Sequence, residues 1–251
     1  MLRQIVKWQA AGPRSGADGY NRHLVDRLPT WTLVSDSALL ARFDGPAPME
    51  VQARVTALFE AIRAASIEGV RNLHPAFRSL LVVYNPMRWT PQALLQRLEE
   101  AGARSGPAPK RAKPVALPVC FSSGFAPDLP AVCATAGLQA DEAIGLFTSR
   151  VYRVAFLGFA PGFPYLLGLP PALATPRRAR PRTHIPAGSV GIAGEQTGIY
   201  PADTPGGWQI IGRTPLRLFD AEREPMSLLL PGDEVRFVVM DERSYEELSQ
   251  W

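Results

Sequence analysis

Two hydrophobic rhythms divide the chain. Val51, Val55, Leu58 and Ile62 recur at helical spacing and predict an amphipathic helix closing near Gly69. Leu94, Leu95 and Leu98 form a second stripe. Thr90 and Pro91 start that helix, threonine as cap and proline in the first turn, and Gly102 stands at its end. Short apolar runs around these helices read as strands. Residues 31–43 form a strand pair, or one strand broken at Ser35–Ser37, and further strands cover 70–73 and 77–84. A strand near 115–121 then completes β-α-β-β-α-β, a ferredoxin-like layout.

From about residue 115 the rhythm shortens. Tyr152, Val154 and Phe156 alternate, and after residue 185 GSVGIAG, TGIY, WQIIG, LRLF and EVRFVVM follow one another between turn residues. That spacing predicts a closed or nearly closed β-barrel. Asp128 and Asp141 are expected to cap short helices, and Ser244 with Glu247 to form a capping box for a last one. The fold class is therefore α+β. The expected organisation is a flexible extension over 1–29, an α/β domain over 30–101, a Pro/Gly/basic linker over 102–114 and a barrel domain over 115–251.

Composition narrows the function. A chain that is 46% hydrophobic and 20% charged is that of a globular protein. No apolar run approaches the ~20 residues that span a bilayer, and no apolar segment follows Arg3 and Lys7, so a cytoplasmic protein without membrane attachment is expected. The net charge of +4 sits mostly in residues 1–29 and supplies no nucleic-acid patch. Cys120 and Cys133 read as buried thiols, and His23, His74 and His184 lack metal-ligand spacing, so no metal site is expected.

Candidate chemistry concentrates between Phe156 and Thr214, where glycine and proline interleave with aromatic, aliphatic and arginine residues. Such a segment predicts rigid loops held against a core. No Walker motif occurs, and Gly188, Gly191 and Gly194 are spaced GxxGxxG, which is not the dinucleotide fingerprint. The PAGSVG run containing Gly188 and Ser189 is either a backbone anion cradle or a hairpin turn. Arg177, Arg178, Arg180 and Arg182 form the densest charge cluster, either a solvated loop or an anion clamp in which Arg178 and Arg182 are the bidentate partners. Arg213 is expected at a barrel rim. Phe159, Phe163, Tyr165, Tyr200 and Trp208 are candidate pocket or core residues, with Trp208 partly exposed after its sharp turn. Pro161, Gly162, Gly206 and Gly207 shape the loops around them. Ser189, Gln196 and Thr197 offer neutral groups suited to an amide or lactam. Ser189 has no diagnostic histidine partner and no GxSxG elbow occurs. Glu195 and Asp203 are the acids of the segment, with a surface role as default. No catalytic residue is assigned.

The wording LGFAPGFPYL, PRR, PR, PAGSVGIAG, QTGIYP, PGGWQIIGRTP and LFD, preceded by SDSALLARF, SLLVVYNP, LPVCF and PDL, resembles the family of 5-oxoprolinase B subunits from about residue 31 to 240. That family includes the KipI-type kinase inhibitors and part of the urea carboxylase carboxyltransferase region. The resemblance implies a cyclophilin-like second domain. It also implies a non-autonomous component that works with a homologue of the 5-oxoprolinase C subunit, and with a separate A subunit, to open the lactam of 5-oxo-L-proline to L-glutamate. ATP with Mg²⁺ would be shared with the partner. A stable lactam is a poor electrophile, so phosphorylating its carbonyl oxygen would make the carbon attackable, with arginines and Mg²⁺ offsetting the charge. The alternatives are a KipI-type inhibitor of a sensor histidine kinase and a urea carboxylase-like carboxyltransferase subunit. The chain carries no biotinyl-lysine motif. Two positions depart from the family wording: Asn85 stands where aspartate is expected, and Phe147 where His-Thr is common.

Overall fold

The computed structural model describes residues 28–104 and 113–249. They form two compact units, divided in the 105–112 region. Most of the expected 1–29 extension and of the 102–114 linker lies outside the described residues; Gly102–Arg104, Lys113 and Pro114 flank the gap.

The first unit runs β1 (Thr30–Ser35), β2 (Ala38–Arg42), α1 (Pro48–Ala65), β3 (Val70–Pro75), β4 (Ser79–Tyr84), α2 (Pro91–Ala103). Its four strands lie in the order β1-β2-β4-β3, and every neighbour pair is antiparallel. Alternate strand residues Trp31, Leu39, Ala41, Leu80 and Val82 meet Val51, Val55, Leu58, Ile62, Leu94 and Leu98 of the helices in one core. Both helical stripes thus emerge as read. Thr90 accepts the Ala93 N–H at 3.3 Å, and Ser66 in the left-handed region ends α1 a turn before Gly69.

The ferredoxin-like order does not form. Residues 31–43 fold back on themselves as a hairpin, so the unit reads β-β-α-β-β-α. The strand expected to complete it, β5 (Val115–Cys120), pairs instead in the second unit.

That unit continues with α3 (Leu129–Ala136), α4 (Ala140–Thr148), β6 (Tyr152–Leu157), β7 (Pro164–Leu167), β8 (Arg182–Ile185), β9 (Ser189–Ala193), β10 (Gln196–Ile199), β11 (Thr204–Gly206), β12 (Gln209–Arg213), β13 (Glu234–Met240) and α5 (Glu242–Leu248). Seven strands close a barrel in the order β10-β7-β6-β13-β5-β12-β9, and β8 with β11 forms a separate ribbon. β5 lies parallel to β13 over its whole length, Val115 opposite Val235 through Cys120 opposite Met240. LRLF is not a strand; only an isolated bridge joins Phe219 to Ser227. The caps also differ from the sequence reading. Asp241 caps α5, accepting the Ser244 N–H at 2.7 Å, and Glu142 accepts the Gln139 N–H at the start of α4, with Asp141 inside the first turn.

Strands β7, β9, β10 and β12 present two apolar faces. Leu166, Val190, Ile192, Ile199 and Ile211 point into the barrel core, which α3 and α4 complete with Val132, Cys133, Ala143 and Phe147. Ala193 and Ile210 belong instead to a second cluster with Phe163, Ile185, Tyr200 and Trp208, against which Tyr165 packs. Gly191 and Gly198 pair across β9 and β10 on that outer face. A Cβ on Gly198 would lie 2.8 Å from the Phe163 ring, and one on Gly191 3.0 Å from Trp208 Cβ. The paired glycines are the bare floor on which two aromatic rings rest.

Alanine at two glycines should therefore act with opposite sign. Gly198→Ala, driven into the Phe163 ring and the Pro164 carbonyl, is expected to destabilise the barrel unit by about 2–4 kcal/mol. Gly145→Ala, on the exposed side of α4 with nothing within 4 Å, should stabilise it by about 0.5–1 kcal/mol. Denaturant midpoints of the two variants decide the point.

Candidate functional site

The second cluster is the base of a surface cleft of about 220 Å³. Phe159, Phe163, Tyr165, Tyr200 and Trp208 line it, with Arg177, Arg178, Pro181, Gly206 and Gly207 closing the rim. Phe163 is the hub of the aromatic set. Its ring meets Tyr200 at 5.2 Å and Trp208 at 5.5 Å, both edge-to-face, the arrangement favoured by ring quadrupoles. Trp208 is only 6% exposed, so the PGG turn buries it rather than leaving it at the surface.

Phe159 is held differently. It has φ of +69°, and Ala160 N–H donates to the Gly158 carbonyl at 2.8 Å across it, a γ-turn that non-glycine residues rarely adopt. The residue is 61% exposed, and its ring stands edge-on to Phe163 at 5.3 Å. Such backbone strain gathers where a side chain must be presented rather than packed.

The arginines are organised by Asp128. This carboxylate, 3% exposed, accepts Arg178 Nη1, Arg182 Nη1, Arg182 Nη2 and the Ile210 N–H, each at 2.7 Å. Its own N–H donates to the Ile210 carbonyl at 2.9 Å. Asp128 precedes α3 as expected, but its side chain makes no cap, because two guanidiniums offer stronger charge-assisted bonds than a helix N–H. Burial alone would raise its pKa. Arg182, the Ile210 N–H and Arg178 outweigh that and hold it below the ordinary carboxylate value. The bond to Asp128 in turn raises Arg182. The Arg178 N–H donates to the Gly207 carbonyl at 2.8 Å, and Gln209 Nε2 to the Pro176 carbonyl at 3.0 Å, so the arginine segment is pinned along the PGG turn.

The PAGSVG loop has its donors engaged from within. The N–H groups of Ala187, Gly188 and Ser189 go to Asp203 Oδ1, the Tyr200 carbonyl and the Pro186 carbonyl. The anion in that turn is thus Asp203, its pKa lowered by the Ala187 N–H and by His184 at 3.0 Å. The loop is a connection from β8 into β9 and not an open cradle.

The lining groups favour binding and orientation over chemistry. Burial raises Tyr165 and pushes Tyr200 up to about 12, so both stay neutral hydrogen-bonding groups. Among the described residues that line the cleft there is no carboxylate, histidine, serine or cysteine. A guanidinium over an aromatic face, that of Arg177 on Trp208, beside further rings suits a small, flat, anionic molecule.

The family model described as carboxyltransferase domain, subdomain C and D, matches residues 29–229. The chain belongs to that family. It is 40% identical over 226 residues to a Bacillus subtilis protein named as the B subunit of 5-oxoprolinase, covering 84% of this chain and 93% of that one. It is also similar to the crystal structure of TTHA0988, at 36% identity and a TM-score of 0.73, over 81% of this chain. The match spans only 40% of that longer solved chain. The Kluyveromyces lactis urea carboxylase structure shares the fold alone, at 20% identity and a TM-score of 0.71 over 98% of this chain and 24% of its own.

Within this carboxyltransferase-family unit, the sequence-selected residues fall into three groups. Phe159, Phe163, Arg178, Tyr200, Gly206, Gly207 and Trp208 meet at the cleft, and Arg182 lies beneath it on Asp128. Pro161 and Gly162 form the turn that carries Phe163. Gly188, Ser189, Gln196, Thr197 and Arg213 do not line it. Thr197 is buried and donates to the Gly191 carbonyl at 2.8 Å, Gln196 sits at the start of β10, and Ser189 is buried at the start of β9. Arg213 Nε donates to the Ala187 carbonyl at 2.7 Å, and its guanidinium lies 5.9 Å from the Tyr245 ring centroid. Sequence reasoning misses Asp128 as a site residue. Its signal in sequence is only a PDL step fifty residues before the arginines.

Removing the Asp128 charge should loosen the whole rim. Asp128→Ala leaves the buried Ile210 N–H unpaired and two guanidiniums with only solvent to meet them, and is expected to cost about 2–3 kcal/mol. Because the native pKa is depressed, the ionised carboxylate stabilises the fold fully above its unfolded value of about 4 and less as pH falls below it. Wild-type melting temperature should therefore drop more steeply than that of Asp128→Asn between pH 5 and about pH 2.

Proposed function

We propose that this chain is the B subunit of an ATP-dependent 5-oxoprolinase, a non-autonomous component whose cleft seats the small cyclic substrate. The observation that carries this reading is the make-up of the cleft. Aromatic faces and guanidiniums hold and orient an anionic ring, while the lining offers no nucleophile or base to open it. The chemistry then needs groups from a partner, in keeping with the B. subtilis relative, which is named as one subunit of an enzyme. The urea carboxylase alternative has only distant support, a fold match at 20% identity and partial sequence matches to urea amidolyases that span 45% of this chain or less.

ATP with Mg²⁺ does not fit the described residues by themselves. The cleft is smaller than the ~300–1,000 Å³ usual for drug-sized ligands. The Ala187, Gly188 and Ser189 amides of the PAGSVG loop are occupied, and the cleft lining offers no carboxylate to a nucleotide-bound Mg²⁺. The nucleotide belongs, on this reading, with the C subunit homologue, and the product of the complex is glutamate.

The test is reconstitution. The purified chain should release no glutamate from 5-oxo-L-proline with ATP, and the chain combined with homologues of the C and A subunits should do so in proportion to ATP consumed. Robust turnover by the chain alone, or none by the full set of subunits, overturns the assignment.

A further inference from the structure

We propose that Arg177 takes the carboxylate of the ligand in this cleft, while Arg178 and Arg182 serve as its scaffold. The inference rests on the reading of the cleft as the seat of a small cyclic substrate. Sequence alone points to Arg178 and Arg182 as the anion clamp, and the geometry reassigns that role.

Both Nη atoms of Arg182 and Nη1 of Arg178 are already directed at Asp128. Swinging either guanidinium off Asp128 would strip a buried carboxylate of a partner, which leaves Arg178 only its Nη2 edge for a ligand. Arg177 has no such commitment. It lines the cleft and is exposed, and no carboxylate pairs with it among the described residues. Its guanidinium stands 5.9 Å from the Trp208 ring centroid, where an aromatic face orients a planar cation without neutralising it. Asp128 faces two guanidiniums and offsets only one of the three positive charges at the rim, and Arg177 lies outside that pairing with its own charge intact. Tyr165 and Tyr200 stay protonated and remove none of it. A cleft of about 220 Å³ suits a single ring bearing one acid group rather than a nucleoside triphosphate.

The experiment is calorimetric titration of the full chain, alone and copurified with its partner. The probes are 5-oxo-L-proline, the uncharged ring 2-pyrrolidinone, benzoate against benzamide, inorganic phosphate and ATP. Wild type should prefer each acid to its uncharged counterpart by about 10- to 100-fold. Arg177→Ala should abolish that preference while leaving 2-pyrrolidinone binding and the melting temperature unchanged. Arg177→Gln should match it, and Arg177→Lys should recover only part, lacking the planar fork.

An Arg177→Ala protein that keeps the full preference overturns the proposal and leaves the 5-oxoprolinase reading intact. A wild type that ignores 5-oxoproline in both forms but prefers benzoate through Arg177 sinks the 5-oxoprolinase reading and upholds the Arg177 role. Arg177-dependent binding of phosphate or ATP without any carboxylate preference overturns the proposal in favour of a phosphoryl seat. Absence of carboxylate binding by wild type in both forms overturns it as well.

Discussion

A buried carboxylate is costly unless every lone pair it presents is met, and Asp128 meets that condition with donors from two stretches far along the chain. Arg178 comes from the loop before β8, Arg182 from β8 itself and the Ile210 N–H from β12. Each donor fixes its own segment, so the start of α3, the arginine loop and the barrel wall hold one register. Such a network contributes modestly to net stability, since desolvation offsets much of the attraction, but it specifies geometry sharply. Around it the PGG turn is drawn against the arginine segment, and the tryptophan that follows is tucked under the rim.

What is legible in sequence follows from how local each signal is. The stripes of α1 and α2 and the Thr90 cap are readable because periodicity and capping act within a turn or two. The shape of the first sheet is not. A short apolar run does not say whether it pairs with its neighbour or with a partner over a hundred residues away, as β5 does with β13. The closed barrel is readable as a class from its evenly punctuated runs, whereas LRLF carries the same apolar pattern and forms no strand. The aromatic residues of the cleft can be selected by type and density. The role of Asp128 cannot, because an aspartate before an apolar run reads as a helix cap whatever approaches it later from far along the chain.

The two departures from the family wording have structural settings. Phe147 is buried and stacks on Phe237 at 4.7 Å, so it fills the barrel core beneath α4 rather than facing the cleft. Asn85 accepts the Met87 N–H at 3.1 Å in the turn after β4, a local turn bond that an aspartate makes equally well. Neither residue lines the cleft.

The wall formed by β7, β9, β10 and β12 has two apolar sides that share one backbone. Side chains of successive residues leave a strand in opposite directions, so the two sides are written in alternate letters of the same words. Substitutions in one set of letters can retune what the cleft accepts, while the other set keeps the barrel closed. The paired glycines are the exception, because any side chain there would lift both rings resting on them. Divergence among relatives that keep this barrel should therefore accumulate at the rim and in the rings, and leave the glycine pair untouched.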